Sequence, residues 1–220
     1  VQVGAAKAAK RFDNTLHDDE GENISCKNPR YCELTAQYWA WKNEDADYYG
    51  FCHYRRYFDF TDTPHQENDY GEIIDSYIDS QTIKEYGIND GDISKVVDGW
   101  DVITTPLNDT RRIGGFTNLK QHWDADRHLR LKDLRHMYDI LCARHPDYKA
   151  DADAVLNGHT AAFCNMFIMR KDIFFEYNEW LFPLLDEFAE HTDFSKMDVQ
   201  TTRTVGHLSE RLLNIFLAHK

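Results

Sequence analysis

Residues 45–58 read DADYYGFCHYRRYF, and the fold follows from how this stretch is interpreted. Its centre packs aromatic residues too densely, over too few positions, for a helix to bury them all. It therefore predicts a buried strand over Tyr48–Phe58 that runs out into a basic edge. In open α/β sheets ligands bind outside the carboxyl ends of strands, so His53, Arg55 and Arg56 fall where a site is expected. On an extended chain adjacent side chains alternate, which puts His53 and Arg55 on one face and Arg56 on the other. The forked guanidinium matches the oxygens of a diphosphate, and a local arginine pair in an acidic chain points to an anion. An ion pair with Asp45, Asp47 or Asp59 is the competing reading.

Upstream, YCELTAQYWAWKN (residues 31–43) repeats Leu34, Tyr38 and Trp41 at helical spacing, with Glu33 near its start and Lys42 near its end, as a helix dipole favours. Before it, HDDEGENISCKNP (residues 17–29) has the composition of a long polar loop. Val1–Arg11 fits the tail of a strand leading into a short helix. Downstream, strands are expected at 101–106, closed by Pro106, and at 161–170. Helices are expected at 70–86, 126–144, 171–191 and 207–219. Strands alternating with helices predict an α/β layered architecture. No repeat, low-complexity tract or linker divides the chain, so residues 1–220 are expected to form a single domain.

Composition narrows the function. The 220 residues carry 38 Asp and Glu against 25 Lys and Arg, a formal charge of -13, which argues against nucleic acid as a partner. No apolar run approaches the roughly 20 residues of a membrane span, and no basic-then-apolar leader opens the chain. Five scattered cysteines, never spaced C-x-x-C, favour reduced thiols of a cytosolic compartment, packed as small apolar side chains.

Other residues qualify as site candidates. The acidic loop offers Asn23 and Asn28 to a ribose or base edge, or is simply a solvated turn. Glu33 and Trp39 either line a pocket, where an aromatic face suits a nucleobase or sugar ring, or pack in the core. Asn165 interrupts the apolar run FCNMFIM, and an unpaired amide there would cost about 1–3 kcal/mol, so a polar partner or a substrate is expected beside it. In GHLSERLLN (residues 206–214) Ser209 is expected as a helix cap, with Glu210 and Arg211 on the first turn. Glu210 is a candidate catalytic carboxylate and Arg211 a candidate substrate contact; complementing the helix dipole is the alternative for Glu210. Asp45-x-Asp47 has the form of a divalent-metal motif, yet it precedes the strand rather than following it. The eleven histidines show no H-E-x-x-H or H-x-H spacing. Neither G-x-x-x-x-G-K-[ST] nor G-x-G-x-x-G occurs, so triphosphate hydrolysis and dinucleotide oxidoreduction lack support.

The segments VQVGAA, D-x-G-x-NIS-x-KN, CELT-x-x-YWAWKN, DYYGFCHYRRYF, NMFIM and LSERLLN, in this order over nearly the whole chain, resemble the bacterial domain of unknown function 4422. Proteins of that family occur in capsular and exopolysaccharide assembly. The resemblance implies a GT-A-like nucleotide-diphospho-sugar transferase fold, a mixed sheet flanked by helices, with a further N-terminal strand ahead of VQVGAA that this chain is expected to lack. It implies a glycosyltransferase using a nucleotide-sugar donor, with UDP-galactofuranose suggested by some relatives. The implied acceptor is a growing oligosaccharide or lipid-linked glycan, met in the cytoplasm or peripherally at the inner membrane face. The HYR segment is similar in place to the D-x-D of glycogenin-type transferases. That implies diphosphate neutralisation by His53 and Arg55, aided by Arg56, with a Mn or Mg ion left open and Glu210 as the base toward the acceptor. A noncatalytic carbohydrate-binding or assembly module of the same fold is the alternative.

Overall fold

The computed structural model describes residues 1–220. Its strands are β1 (Tyr48–Phe51), β2 (Val102–Thr104), β3 (Asn108–Asp109), β4 (Thr160–Ala161) and β5 (Phe167–Arg170). Its α-helices are α1 (Asn28–Tyr31), α2 (Leu34–Asn43), α3 (Ser80–Glu85), α4 (Asp90–Val97), α5 (Leu119–Ala125), α6 (Leu131–Arg144), α7 (Lys149–Asn157), α8 (Lys171–Glu190) and α9 (Thr204–His219).

The main sheet has the order β1-β5-β2, with both pairings antiparallel. Tyr49 sits opposite Met169 and Phe51 opposite Phe167, so the pleat turns these four side chains to one face. That face is covered by α8. Phe174 stacks on Tyr49 at 4.3 Å between ring centroids and lies 5.7 Å from Phe51. Further along α8, Tyr177 and Trp180 pack against Phe216 of α9 at 5.0 and 5.5 Å. The 20 residues of α8 bury Phe174, Tyr177, Leu181, Leu184, Leu185 and Phe188 at helical spacing, and these join the sheet, α6 and α9 into one core. The buried amide of Asn178 is satisfied by Gln37 at 2.9 Å and by the Phe174 carbonyl at 2.6 Å.

Sequence and structure part at identifiable places. The strand expected over 48–58 stops at Phe51, because its partner β5 begins at Phe167 and nothing remains to pair with Cys52 and beyond. His53–Arg56 instead forms a tight turn, with the His53 and Arg56 backbones exchanging hydrogen bonds of 3.1 and 3.2 Å. The strand expected over 161–170 is split by a left-handed bend at Cys164 and Asn165. The helix expected over 70–86 exists only as α3. Upstream of it, Asn68 Oδ1 accepts the N–H groups of Tyr70 and Glu72, and Asp79 accepts those of Gln81 and Thr82. Such side-chain bonds divert the backbone from a helix until Asp79 caps one. The helix expected over 31–43 starts at Leu34, after Cys32 leaves helical geometry with φ 52°. That over 126–144 starts at Leu131, and α4, α5 and α7 were not expected. The last helix begins at Thr204 rather than His207, so Ser209 is an interior residue bonding the Gly206 carbonyl and not a cap, and Glu210 falls on the second turn.

Phe174 links sheet and helices with no exposure to solvent. Phe174→Ala is expected to cost about 3–5 kcal/mol, seen as a lowered urea midpoint; a loss under about 1 kcal/mol would contradict this core.

Candidate functional site

Four stretches meet at the C-terminal ends of β1 and β2: the residue before α2, the turn after β1, the bend before β5 and the first two turns of α9. Asn165 holds them together. Its amide donates to Glu33 Oε1 at 2.7 Å and to the Gly206 carbonyl at 3.1 Å, which supplies the polar partner its apolar surroundings demand. Glu210 Oε1 accepts the Cys164 N–H at 3.2 Å, and Asn214 pairs with both backbone groups of Ala162 at 2.8 Å. The bend is thus fastened to α9 by side chains spaced along one helical face.

Cys32, Cys164 and Asn165 are the three non-glycine residues of the chain with positive φ, at 52°, 78° and 49°. All three lie here. Asparagine tolerates this region, whereas for a cysteine it costs about 1–2 kcal/mol, and backbone strain of this kind gathers at functional sites.

The electrostatics centre on Glu210, whose side chain is 18 % exposed. Burial raises its pKa from 4.5 to about 7; Arg211 opposes the rise, Glu33 adds to it, and the Cys164 N–H and Arg56 oppose it. Arg56 also pairs with Glu72 at 3.4 Å. Burial pushes the His53 imidazole below its ordinary pKa, helped by Arg56 and Arg55, and leaves its Nδ1 buried without a partner. On the rim, Arg203 Nε approaches Cys32 Sγ at 3.3 Å, and burial pushes both the Cys32 and Cys164 thiols up. A buried carboxyl poised near neutrality, flanked by arginines, is equipped to take a proton from a hydroxyl beside a bound anion.

Of the sequence candidates, Glu33, His53, Arg56, Asn165 and Glu210 come together here. The others do not. Arg55, expected beside His53, is exposed and lies 5.4 Å from the Tyr54 ring, because a turn rather than an extended chain decides its direction. Trp39 is buried and donates its indole N–H to the Glu20 carbonyl at 2.9 Å. Asn23 bonds the Asp19 and Gly21 carbonyls within its own loop. Asn28 bonds the Cys32 carbonyl at 2.8 Å, and its side chain crowds Gly4, where a Cβ would meet it at 2.6 Å. Arg211 is 3 % exposed and turns into the core beside Trp123 and Phe163. Sequence reasoning missed Arg203, which no motif marks. It also missed Asp18, fully buried, whose carboxylate gathers the Gly4 and Ala5 N–H groups and the Ser25 and Thr35 hydroxyls at 2.6–2.9 Å. That makes the acidic loop an anchored structural element.

The Asp45-x-Asp47 pair does not fit a metal at this site. Asp45 is ion-paired with Lys171, and the Asp47 carbonyl accepts the Lys171 N–H at 2.8 Å. Both aspartates precede β1, at the opposite end of the sheet from Glu210, and no three His, Cys, Asp or Glu side chains converge on a metal-holding position.

Comparisons with known proteins agree with this architecture. The family model described as domain of unknown function DUF4422 matches residues 1–220. The apo structure of the WbbM bifunctional glycosyltransferase superposes with a TM-score of 0.94 at 36% sequence identity, over 99% of this chain and 38% of that one. The chain therefore spans well under half the length of that protein, and the α/β, GT-A-like fold expected from the sequence is the one observed. No curated protein matches the chain significantly.

In ¹³C NMR of glutamate-labelled protein, Glu210 is expected to titrate near pH 7 and to fall measurably in Glu33→Gln. A midpoint at the ordinary 4.5 would overturn this electrostatic account. Between pH 4.5 and 7 the folded state keeps a proton that the unfolded chain has released, so this group makes the fold less stable as pH rises through that window. Glu210→Gln should abolish that component, about 3 kcal/mol at most, in urea titrations at pH 4.5 and 7.5; an unchanged pH dependence would count against it.

Proposed function

The chain belongs to the DUF4422 family, and from that premise we propose that residues 1–220 form a single glycosyltransferase domain that moves a sugar from a nucleotide-diphospho-sugar to a glycan hydroxyl. The observation that carries this reading is Glu210, a buried carboxyl with a pKa near 7, held by the Cys164 backbone N–H at the sheet's carboxyl edge and under the influence of Arg56. The likeness to a glycosyltransferase structure supports it.

The donor diphosphate lies against the turn after β1, where Arg56, His53 and Arg203 stabilise the charge that develops as it leaves. In an inverting transfer the acceptor oxygen bonds to the anomeric carbon, the bond from that carbon to the diphosphate oxygen breaks, and the acceptor proton passes to Glu210. Asn165 and Glu33, beside Glu210, orient the sugar or the acceptor. Arg55, on the solvent side of the turn, contributes long-range attraction only. The acceptor is the growing end of a capsular or exopolysaccharide glycan, free or lipid-linked, at the cytoplasmic face of the inner membrane; no helix is long and apolar enough to cross a membrane.

The test is turnover of a nucleotide-sugar panel, UDP-galactofuranose among them, by the full-length protein with an oligosaccharide acceptor. Glu210→Gln is expected to lower kcat about 10²–10⁴-fold and Arg56→Ala about 10²-fold, with Arg55→Ala within about 10-fold of the parent. Activity is expected to persist when Mn²⁺ and Mg²⁺ are chelated. Glycan binding without turnover of any donor would favour the carbohydrate-binding module instead, and a larger loss in Arg55→Ala than in Arg56→Ala would refute the assignment of the diphosphate side.

A further inference from the structure

Arg211 is the most unusual ionisable group in the chain. Its side chain is 3 % exposed, and its Nε and Nη1 are buried with no hydrogen-bond partner. Nη2 lies 3.1 Å from His122 Nδ1 on α5, and the guanidinium sits 5.0 Å from the Phe163 ring and 5.7 Å from that of Trp123. Its one carboxylate neighbour is Glu210, with Nη1 3.5 Å from Oε2. A guanidinium does not shed its proton in a protein, and leaving one buried beside apolar side chains without a counter-charge costs several kcal/mol, on the order of 3–5 when a pair is broken. The core just beneath supplies only Leu134, Met137, Leu208, Leu212 and other apolar groups. Stability alone would favour an apolar side chain at this position.

We propose that Arg211 is a positioning residue for Glu210: from the core side it sets a permanent positive charge 3.5 Å from Oε2, while the Cys164 N–H holds Oε1 by a hydrogen bond, and that charge keeps the carboxylate ionised in a site that otherwise expels charge. This rests on the reading of Glu210 as the base. The groups facing Glu210 are Arg211 on its own helix, Glu33 ahead of α2, Arg56 after β1, and Cys164 in the bend before β5. Burial and Glu33 drive the carboxyl toward its neutral form; Arg211 is the largest opposing influence. Behind Arg211 stand His122 and, one turn earlier on α9, His207, with Asp126 acting on both. Burial and Arg211 push His122 toward the neutral form, so its Nδ1 is free to accept from the guanidinium and the other nitrogen carries the proton. The chain of contacts His122, Arg211, Glu210, Cys164 N–H runs from the core to the reacting edge. It places a hydrogen-bond donor on Oε1 and a fixed positive charge near Oε2 without any group that competes with an acceptor for the proton.

The test uses Arg211→Met, which matches the length and apolar surroundings of the arginine stem, and Arg211→Lys, which keeps the charge. In ¹³C titrations of the full-length protein, Glu210 is expected to move up by about one pH unit or more in Arg211→Met, with Arg211→Lys between it and the parent. Where transfer is measurable, the acid limb of the kcat/KM profile should move by the same amount, so that Arg211→Met recovers activity at alkaline pH. A purely structural arginine would lower activity at every pH and leave the midpoint unmoved, which would overturn the proposal. Should Arg211→Met fail to fold, Arg211→Lys carries the test, since a displaced ammonium must still raise the Glu210 midpoint; no rise there also overturns it. The NMR midpoint needs no donor, so a failure of the glycosyltransferase reading and a failure of this proposal are told apart.

Discussion

The left-handed bend at Cys164–Asn165 is the constraint on which the rest of the structure hangs. It sets where β5 begins and thereby where β1 stops, because a strand cannot continue past its partner. It also turns the chain onto α9, where Glu210, Asn214 and the Gly206 carbonyl bind its backbone and side chain. The energy for holding two consecutive residues in this conformation comes from the core below, where Phe167, Phe174, Tyr177 and Phe216 are all buried.

From this bend the electrostatics follow. The Cys164 N–H is available to Glu210 only because no strand partner claims it, and Asn165 reaches Glu33 only from its left-handed conformation. Two carboxylates are thereby brought to one place, and their repulsion is moderated by Arg56 from the turn and Arg211 from the core. The result is a carboxyl divided between its two protonation states near neutral pH, the condition that suits a general base. The strained cysteines flanking it give the same location through backbone geometry alone.

Much of the frame was legible in the sequence. The aromatic density of 48–51, the helical periodicity of 171–190 and the apolar run before Arg170 are local signals, and they gave β1, α8 and β5. Asn165 was legible because an amide in an apolar run requires a partner. What stayed hidden was long-range. That β1 stops at Phe51 depends on where β5 starts, more than a hundred residues later, so the local pattern of HYRR reads as extended chain and points to Arg55 rather than Arg56. Arg211 and Trp39 carry the same polar and aromatic groups whether they face a ligand or the core, and only packing separates the two. Asp18 lay among four acidic residues of similar character, and nothing in that run marks which one is buried.

In the proposed reaction the nucleotide-sugar binds at the carboxyl edge of β1 and β2, closed by the bend and α9. A crystal structure of the full-length protein with UDP bound tests it most directly. The diphosphate is expected within hydrogen-bonding reach of Arg56 or Arg203, with the adjoining space opening onto Asn165 and Glu210. Nucleotide bound instead at the opposite end of the sheet, in the open groove between Asp47, Arg170 and Lys171, would contradict it.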